Sequence, residues 1–198
     1  MAPPTSAETS TEALRSDPRP DLLLAHRSAI GDKAAFAVIF ARHGASLHRY
    51  ALRMLSGDHH AAEDAVQEAL TKAWLHMAAF RGESALRTWL FTLTANECHS
   101  ARRRRRPIAV DDRLLEVLTT DATLPGPHDQ ASANELREVL DLALLELPWR
   151  QRAAWLLREV EDLSYAEIAE ILHTTPTVVR GQLHRARATL KVRMAQWR

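Results

Sequence analysis

The stretch LSYAEIAEILHTTPTVVRGQLHRARATLK, residues 163–191, predicts two helices joined by a short turn. Ser164 and Glu167 have the S-x-x-E spacing of a capping box, in which the two residues bond each other's backbone N–H groups, so a helix begins there. After the turn, Thr175 suits an N-cap position and Pro176 suits the first position of a second helix, where a missing N–H is not needed.

Apolar side chains recur at helical spacing in both segments, so each helix has one side that packs. The residues expected to pack the first helix are Ile168, Ala169 and Leu172. Those expected to pack the second are Val178, Val179, Leu183, Ala186 and Leu190. Two helices packed around so short a turn form a helix-turn-helix.

The polar side of the second helix is basic, and no Asp or Glu occurs between Ile171 and the end of the chain. In helix-turn-helix proteins the N-terminal half of the second helix enters the DNA major groove. Arg180 and Gln182 are side chains that can bond base edges in pairs. An ordinary helical hairpin with solubilising arginines is the alternative, but the caps, the proline and the missing acids together favour DNA. The candidate residues are Thr177, Arg180, Gly181, His184, Arg185 and Arg187.

An earlier segment also has helical periodicity, with Asp58 as its N-cap. Its core stripe is Ala62, Ala65, Val66, Ala69, Leu70, Ala73, Trp74 and Met77. On the opposite side, Asp64 and Glu68 lie one turn apart beside Gln67, so their carboxylates project together. From the residues alone a solvated face is favoured, because exposed acids are ordinary. A metal site is disfavoured because a third ligand at compatible spacing is missing.

The stretch FRGESALRTWLFTLTANECHSARRRRR, residues 80–106, combines aromatic side chains with arginines. Exposed rings stack on unpaired bases while arginines follow phosphates, so the composition suits single-stranded nucleic acid. Periodicity alone favours Trp89 as a core residue, together with Leu90 and Leu93. Phe80 and Arg81 precede Gly82 and are expected in a loop. Five consecutive arginines, residues 102–106, cannot all be buried, and we expect them to meet phosphate.

Residues that interrupt helices, mainly proline and glycine, and the distribution of charge divide the chain of 198 residues into parts. The expected parts are a disordered tail over 1–20, a helical domain over 21–106, a flexible acidic linker over 107–133 and a second helical domain over 134–198. Strand alternation is not convincing in either domain, so the expected fold is all-α.

The first residues do not resemble a secretory signal and no stretch suits membrane insertion, which predicts a cytoplasmic protein. Cys98 is expected to be a packing residue.

Four motifs in order resemble the extracytoplasmic-function sigma factors of bacterial RNA polymerase. They are AEDAVQEALTKAWLH, the stretch over 80–106, LPWRQRAAWLLREVEDLSYAEIAEIL and VVRGQLHRARATLK. The resemblance implies that the first domain is sigma region 2 and the second is sigma region 4. It implies that the acidic linker threads toward the polymerase active-site cleft and the RNA exit path. It implies no enzymatic activity, catalytic residue, metal or cofactor.

The same resemblance implies partners and site residues. The partners are core RNA polymerase through its beta-prime coiled coil and beta flap, promoter DNA, and an anti-sigma factor. The beta-prime contact falls on Asp64, Gln67 and Glu68, and the minus-35 contact on the helix-turn-helix candidates given above. Asn96 would bind a base flipped from the minus-10 element, beside a loop with Phe80, Arg81 and Ser84. The complete minus-10 set is Phe80, Arg81, Ser84, Trp89, Asn96, Arg102, Arg103, Arg104 and Arg105.

The sequence departs from the family at two places. Many relatives have a Ser-Arg pair where this chain has Gly181 and Gln182, and the turn at Pro176 and Thr177 usually has a hydrophobic residue and a glycine. The minus-35 sequence therefore cannot be inferred. A stand-alone helix-turn-helix repressor or activator is the alternative function. A metal-dependent nuclease or deaminase is disfavoured because the ten histidines show no ligand spacing.

Overall fold

The computed structural model describes residues 12–105 and 133–195, which contain helices and no β-strand. The all-α prediction is confirmed. The helices are α1 (Asp21–Ala29), α2 (Lys33–Met54), α3 (His59–His76), α4 (Leu86–Arg105), α5 (Ala133–Leu145), α6 (Trp149–Trp155), α7 (Tyr165–Ile171) and α8 (Pro176–Met194). A 3-10 turn, Met77–Ala79, follows α3, and a π-helical turn, Leu156–Val160, follows α6.

The chain divides into two compact units, one of residues 1–52 and 58–99 and one of residues 53–57 and 100–198. The division falls within α4, between residues 99 and 100. The predicted linker over 107–133 lies outside the described residues except for Ala133, where α5 begins. None of the described helices is long and apolar enough to cross a membrane.

The first unit is packed around the small-residue side of α3. That side consists of Ala61, Ala62, Ala65, Val66, Ala69, Leu70 and Ala73. Small side chains let helix axes approach closely, since the interaxial distance depends on the residues at the contact. The Asp58 carboxylate accepts the Ala61 N–H at 2.9 Å and caps α3 as predicted. On the facing helices, the Tyr50 and Phe91 rings meet edge to face with centroids 5.6 Å apart.

Contacts with α2 begin before the predicted end of the N-terminal tail. Residues 1–11 lie outside the described residues, but 12–20 are described and make bonds. Arg15 Nε donates to the Ala41 carbonyl at 3.1 Å, and Arg42 Nη2 donates to the Asp17 carbonyl at 2.9 Å. A hydrogen bond from Arg19 lowers the pKa of Asp17 to about 2. Residues within the predicted tail therefore contact α2.

The second unit has an aliphatic core and the predicted capping box. Ser164 Oγ accepts the Glu167 N–H at 3.3 Å, and the Glu167 carboxylate accepts the Ser164 N–H at 2.8 Å. At the far end of α8, Arg193 Nε donates to the Glu146 carboxylate at 2.6 Å. That carboxylate is 6 % exposed, so the pair ties α8 to the end of α5. The largest fully buried side chains of this unit are Leu144, Leu156, Leu157, Ile168 and Ile171.

Cys98 is fully buried in α4, in agreement with its prediction as a packing residue. Burial raises the pKa of the thiol to about 12, and the neighbouring Glu97 charge acts in the same direction. Only the thiolate is a good nucleophile, so the folded protein has very little of the reactive form at neutral pH.

We predict that an aromatic disulfide reagent at pH 8 modifies Cys98 about a thousandfold more slowly in the native protein than in guanidinium chloride. The reason is that a pKa of about 12 leaves about one thiol in ten thousand ionised at that pH. Absorbance of the released thiol measures the rate, and free glutathione with and without denaturant controls for the reagent. Equal rates in the two conditions would contradict the burial of Cys98.

Candidate nucleic-acid interface

The turn between α7 and α8 sets the direction of the second helix. His173 has a left-handed backbone (φ 48°), which reverses the chain direction after α7. The Thr174 N–H donates to the Ala169 carbonyl at 2.9 Å, which satisfies a carbonyl at the end of α7. Thr175 Oγ1 accepts the Val178 N–H at 3.4 Å, and Pro176 begins α8 as predicted. The predicted helix-turn-helix is confirmed.

The packed side of α8 differs from the prediction at two positions. Buried residues recur at intervals of three and four, and they are Val179, Gln182, Leu183, Ala186 and Leu190. Val178, predicted to pack, is 42 % exposed because it lies one residue off this stripe. Gln182, considered as a base-reading side chain, is 5 % exposed because it lies on the stripe. Gln182 is therefore a packing residue and cannot reach a base edge in this conformation.

The remaining predicted residues of α8 face outward. Five of them are exposed, namely Thr177, Arg180, His184, Arg185 and Arg187, and Gly181 is half-buried. The outward side is thus basic, with a glycine at its centre. Such a surface can enter a groove of duplex DNA, bonding base edges and phosphates at the same time.

An aromatic ring that the sequence analysis did not single out organises two arginines next to this surface. The Tyr165 ring has the Arg158 guanidinium 5.5 Å and the Arg180 guanidinium 5.8 Å from its centroid. Cation–π attraction at these distances restrains both arginines. The sequence feature that could have identified Tyr165 is its position directly after the capping Ser164. Tyr165 also borders a shallow depression of about 380 Å³, whose other lining residues are Arg180, His184, Arg187, Ala188 and Lys191.

Arg187 differs from its predicted neighbours because it is already paired. Its Nη2 and Nε donate to one carboxylate oxygen of Glu159, at 2.6 and 3.1 Å. This bond to Glu159 is the largest cause of a raised pKa for Arg187. A DNA phosphate at this position would have to compete with the carboxylate.

In the first unit, the acidic ridge predicted on α3 is exposed. The side chains of Asp64 and Glu68 are 67 % and 55 % exposed, and Gln67 is exposed between them. Lys72 Nζ lies 3.6 Å from Glu68 and 2.7 Å from the nearly buried Glu97 of α4. The bond to Glu97 is the main reason that the pKa of Lys72 is raised. Lys72 thus links the ridge to α4.

Phe80 lies in the loop between the 3-10 turn and α4, as expected. The Phe80 ring is 8 % exposed and packs on the half-buried Trp89, with centroids 5.4 Å apart. In this conformation the ring supports the loop. Arg81 is exposed and Ser84 is half-buried, so the loop keeps polar groups at its surface.

Asn96 is exposed on α4, where an amide that both donates and accepts can bond a base edge. Trp89, Asn96 and Arg103 follow at intervals of seven residues, so they share one face of the helix. Arg103 and Arg104 are exposed and Arg102 is half-buried. The side chain of Arg105 and the whole of Arg106 lie outside the described residues.

These surfaces carry charged and amide side chains. Among residues 12–105 and 133–195, no three His, Cys, Asp or Glu side chains lie close enough together to hold a metal ion. The surfaces instead provide guanidinium groups for phosphates, an exposed amide for a base edge, and carboxylates for a basic protein partner.

Both units match known sequence families. The model of Sigma-70 region 2 matches residues 39–108, and that of Sigma-70, region 4 matches residues 137–190. The chain is 32 % identical over 178 residues to the ECF RNA polymerase sigma-E factor of Haemophilus influenzae, covering 86 % of this chain and 93 % of that protein. It is also 32 % identical over 178 residues to the ECF RNA polymerase sigma-E factor of Escherichia coli K12, covering 92 % of that protein.

Two solved structures are similar in fold and sequence. One is CnrH in complex with the cytosolic domain of CnrY, with a TM-score of 0.67 and 26 % identity over 88 % of this chain and 97 % of that one. The other is the sigma factor RpoE in complex with the anti-sigma factor NepR from Bartonella quintana. Its TM-score is 0.63, with 27 % identity over 81 % of this chain and 96 % of that one.

We predict that Gly181→Ala raises the free energy of unfolding of the second unit by about 1 kcal/mol, because alanine favours a helix over glycine by that amount. A Cβ at position 181 would have as its nearest atom the flexible Arg185 Nη1 at 3.6 Å, an ordinary contact. Urea denaturation followed by circular dichroism measures the change. Ala188→Gly, at an exposed position of the same helix, should lower the stability by a similar amount. A destabilised Gly181→Ala variant would refute the expectation.

Proposed function

The chain belongs to the extracytoplasmic-function sigma factors, and on that premise we propose that it binds core RNA polymerase, recognises the minus-35 and minus-10 elements of promoters and promotes DNA melting. One observation carries this proposal: the chain matches both Sigma-70 region 2 and Sigma-70, region 4, and each matched part has an outward basic or polar surface among the described residues. As in the family, initiation at this step uses binding energy and no catalytic residue.

We assign recognition of the minus-35 element to α8. Thr177, Arg180 and Arg185 face outward at its N-terminal half, which is the part of a helix-turn-helix that enters the major groove. The exposed His184 and the central Gly181 complete the base-facing surface. A glycine there allows the helix backbone to approach the DNA closely.

We assign recognition of the minus-10 element to α4 and the loop before it. Asn96 would bond the edge of an unstacked base, with Trp89 beside it and the exposed Arg103 and Arg104 on duplex phosphates. Capture of an unstacked base favours the open DNA by its differential affinity for single strands. Melting is then driven by binding. Phe80 has a supporting role in this assignment, since its ring is covered by Trp89.

The acidic ridge of Asp64, Gln67 and Glu68 is assigned to the beta-prime coiled coil of the polymerase. Its exposure and its negative charge support a basic protein partner. Contact with the beta flap is assigned to the second unit. Because the similar structures are complexes with an anti-sigma factor or with a cytosolic protein domain, we also propose an anti-sigma factor as a partner and the cytoplasm as the location.

A stand-alone repressor or activator is the less favoured function. It would need only the second unit, whereas the match to Sigma-70 region 2 covers residues 39–108. Similarity to whole sigma-E factors over 86 % of the chain argues in the same direction.

Run-off transcription with core RNA polymerase, the full-length protein and a promoter library tests the assignment. We predict promoter-specific transcripts that fall about tenfold or more with Asn96→Ala or Arg185→Ala, because one base-edge contact contributes about 1–3 kcal/mol of discrimination. Permanganate footprinting should show lost melting for Asn96→Ala, and upstream protection should be lost for Arg185→Ala.

Lys33→Ala and Arg150→Ala are the controls, since each removes an exposed basic side chain that is not among the residues assigned to DNA or to the beta-prime coiled coil. They should leave transcription unchanged. If core polymerase gains no promoter specificity while the protein alone still shifts duplex DNA, the repressor or activator function replaces the sigma function.

For the polymerase surface, we predict that Asp64→Lys weakens binding to core RNA polymerase about tenfold or more, because it places a like charge against a basic partner. Fluorescence anisotropy of the labelled protein with core enzyme measures the affinity without DNA. Glu138→Lys makes the same charge reversal at an exposed position of α5 and should have little effect. Equal loss in both variants would argue against an interface at the ridge.

A further inference from the structure

Two arginines of α8 form ion pairs among the described residues, and the two pairs differ in exposure. Arg193 donates to Glu146, whose side chain is only 6 % exposed, so that carboxylate is largely shielded from water. Arg187 donates to Glu159 on the surface, where the two side chains are 51 % and 36 % exposed. Water and ions reach the second pair, so its carboxylate can be exchanged for another anion.

The surroundings of Arg187 are suited to an anion larger than a carboxylate. Arg180, His184, Arg187 and Lys191 follow at intervals of three and four and line one depression of about 380 Å³. Tyr165 also lines this depression, and its ring lies 5.8 Å from the Arg180 guanidinium. No Asp or Glu occurs in the sequence after Glu170, so Glu159 brings a negative charge to this stripe from an earlier segment.

Glu159 is held in place by the backbone that carries it. It lies in the π-helical turn Leu156–Val160, a type of turn that is frequent at functional sites. The preceding Arg158 donates to the Leu163 carbonyl at 2.8 Å and stacks on Tyr165, which fixes the turn against α7. The carboxylate is therefore presented to Arg187 by a defined piece of structure.

We propose that the Glu159 carboxylate is bound to Arg187 at the position that a DNA backbone phosphate would take. Promoter DNA must then displace the carboxylate to contact Arg187. Guanidinium groups bind carboxylates and phosphates by the same charge-assisted hydrogen bonds, so the two anions compete for one site. Phosphate contacts do not depend on sequence, and Glu159 thus reduces affinity for every duplex while the base contacts of α8 are kept. Glu159 thereby lowers the sequence-independent part of the affinity and shortens the time spent on any duplex, without changing the ratio of affinities for promoter and non-promoter DNA. The proposal rests on the sigma function assigned above.

The test uses holoenzyme assembled from the full-length protein and core RNA polymerase, with a promoter duplex obtained from the run-off library. Affinity is measured by fluorescence anisotropy between 50 and 200 mM salt. Glu159→Gln should bind more tightly at low salt and steepen the salt dependence by about one phosphate contact. Over this range of salt, one added contact corresponds to an additional three- to fourfold loss of affinity, approximately. The gain should be the same on a duplex with a scrambled minus-35 element.

Glu170→Gln is the matched control, since it removes one exposed acid from the same helix-turn-helix without releasing an arginine. It should not steepen the salt dependence. In the double variant Glu159→Gln with Arg187→Gln, the gain should disappear, because the released guanidinium is absent. A purely structural role of the pair would instead reduce thermal stability and affinity together, with an unchanged salt slope.

Three results would overturn the proposal: an unchanged or weaker affinity of Glu159→Gln, a gain equal to that of Glu170→Gln, or a gain that survives Arg187→Gln. Circular dichroism verifies that each variant is folded. Should Glu159→Gln unfold, Glu159→Asp replaces it, because it keeps the charge but shortens the side chain. Glu159→Asp should also steepen the salt dependence of the affinity, but by less than Glu159→Gln. Failure of the sigma function is distinguishable, because the wild-type holoenzyme would then show no preference for the promoter duplex.

Discussion

A helix in a small protein can bury only one side, and this constraint decides which side chains here are left for binding. In α3 the buried side runs from Ala61 to Ala73 and consists mostly of alanines, and the acidic ridge lies on the exposed side. In α8 the buried stripe from Val179 to Leu190 leaves a basic side for DNA. Each functional surface is thus the complement of a packing surface. Its charge can vary without disturbing the core, which is how one fold supports different promoter and partner specificities.

The sequence was sufficient for the elements that depend on local chemistry. Asp58, Ser164 and Thr175 cap helices where their spacing predicts, because a cap involves residues only three positions apart. The prediction failed where residue type and helical phase disagreed. Val178 is apolar but off the stripe, whereas Gln182 is polar and on it. Phase decides burial, since the backbone fixes the direction of each side chain before its polarity has any effect.

The site was predicted less completely than the fold, because side-chain partners are distant in sequence. The residues of α8 that we assign to base contacts are neighbours along one helix, so their exposure follows from the pattern. Arg187 and Glu159 are 28 positions apart in the sequence, and no local sequence pattern predicts that they pair. The covering of Phe80 by Trp89 likewise depends on how the loop folds back on α4. Sequence reasoning identified the charged groups, but it could not identify which of them were already bound to one another.

The short length of α7 has a consequence for the lifetime of the protein. Isolated helices shorter than about 12–15 residues are marginal in water, and α7 has 7 residues. It exists because Ile168 and Ile171 are buried, and its capping box adds to that packing. Local opening of α7 would therefore expose apolar side chains and unprotected amides together. Proteases cleave such openings, so the event that dissolves the DNA-reading surface is also one at which degradation of the whole chain can begin.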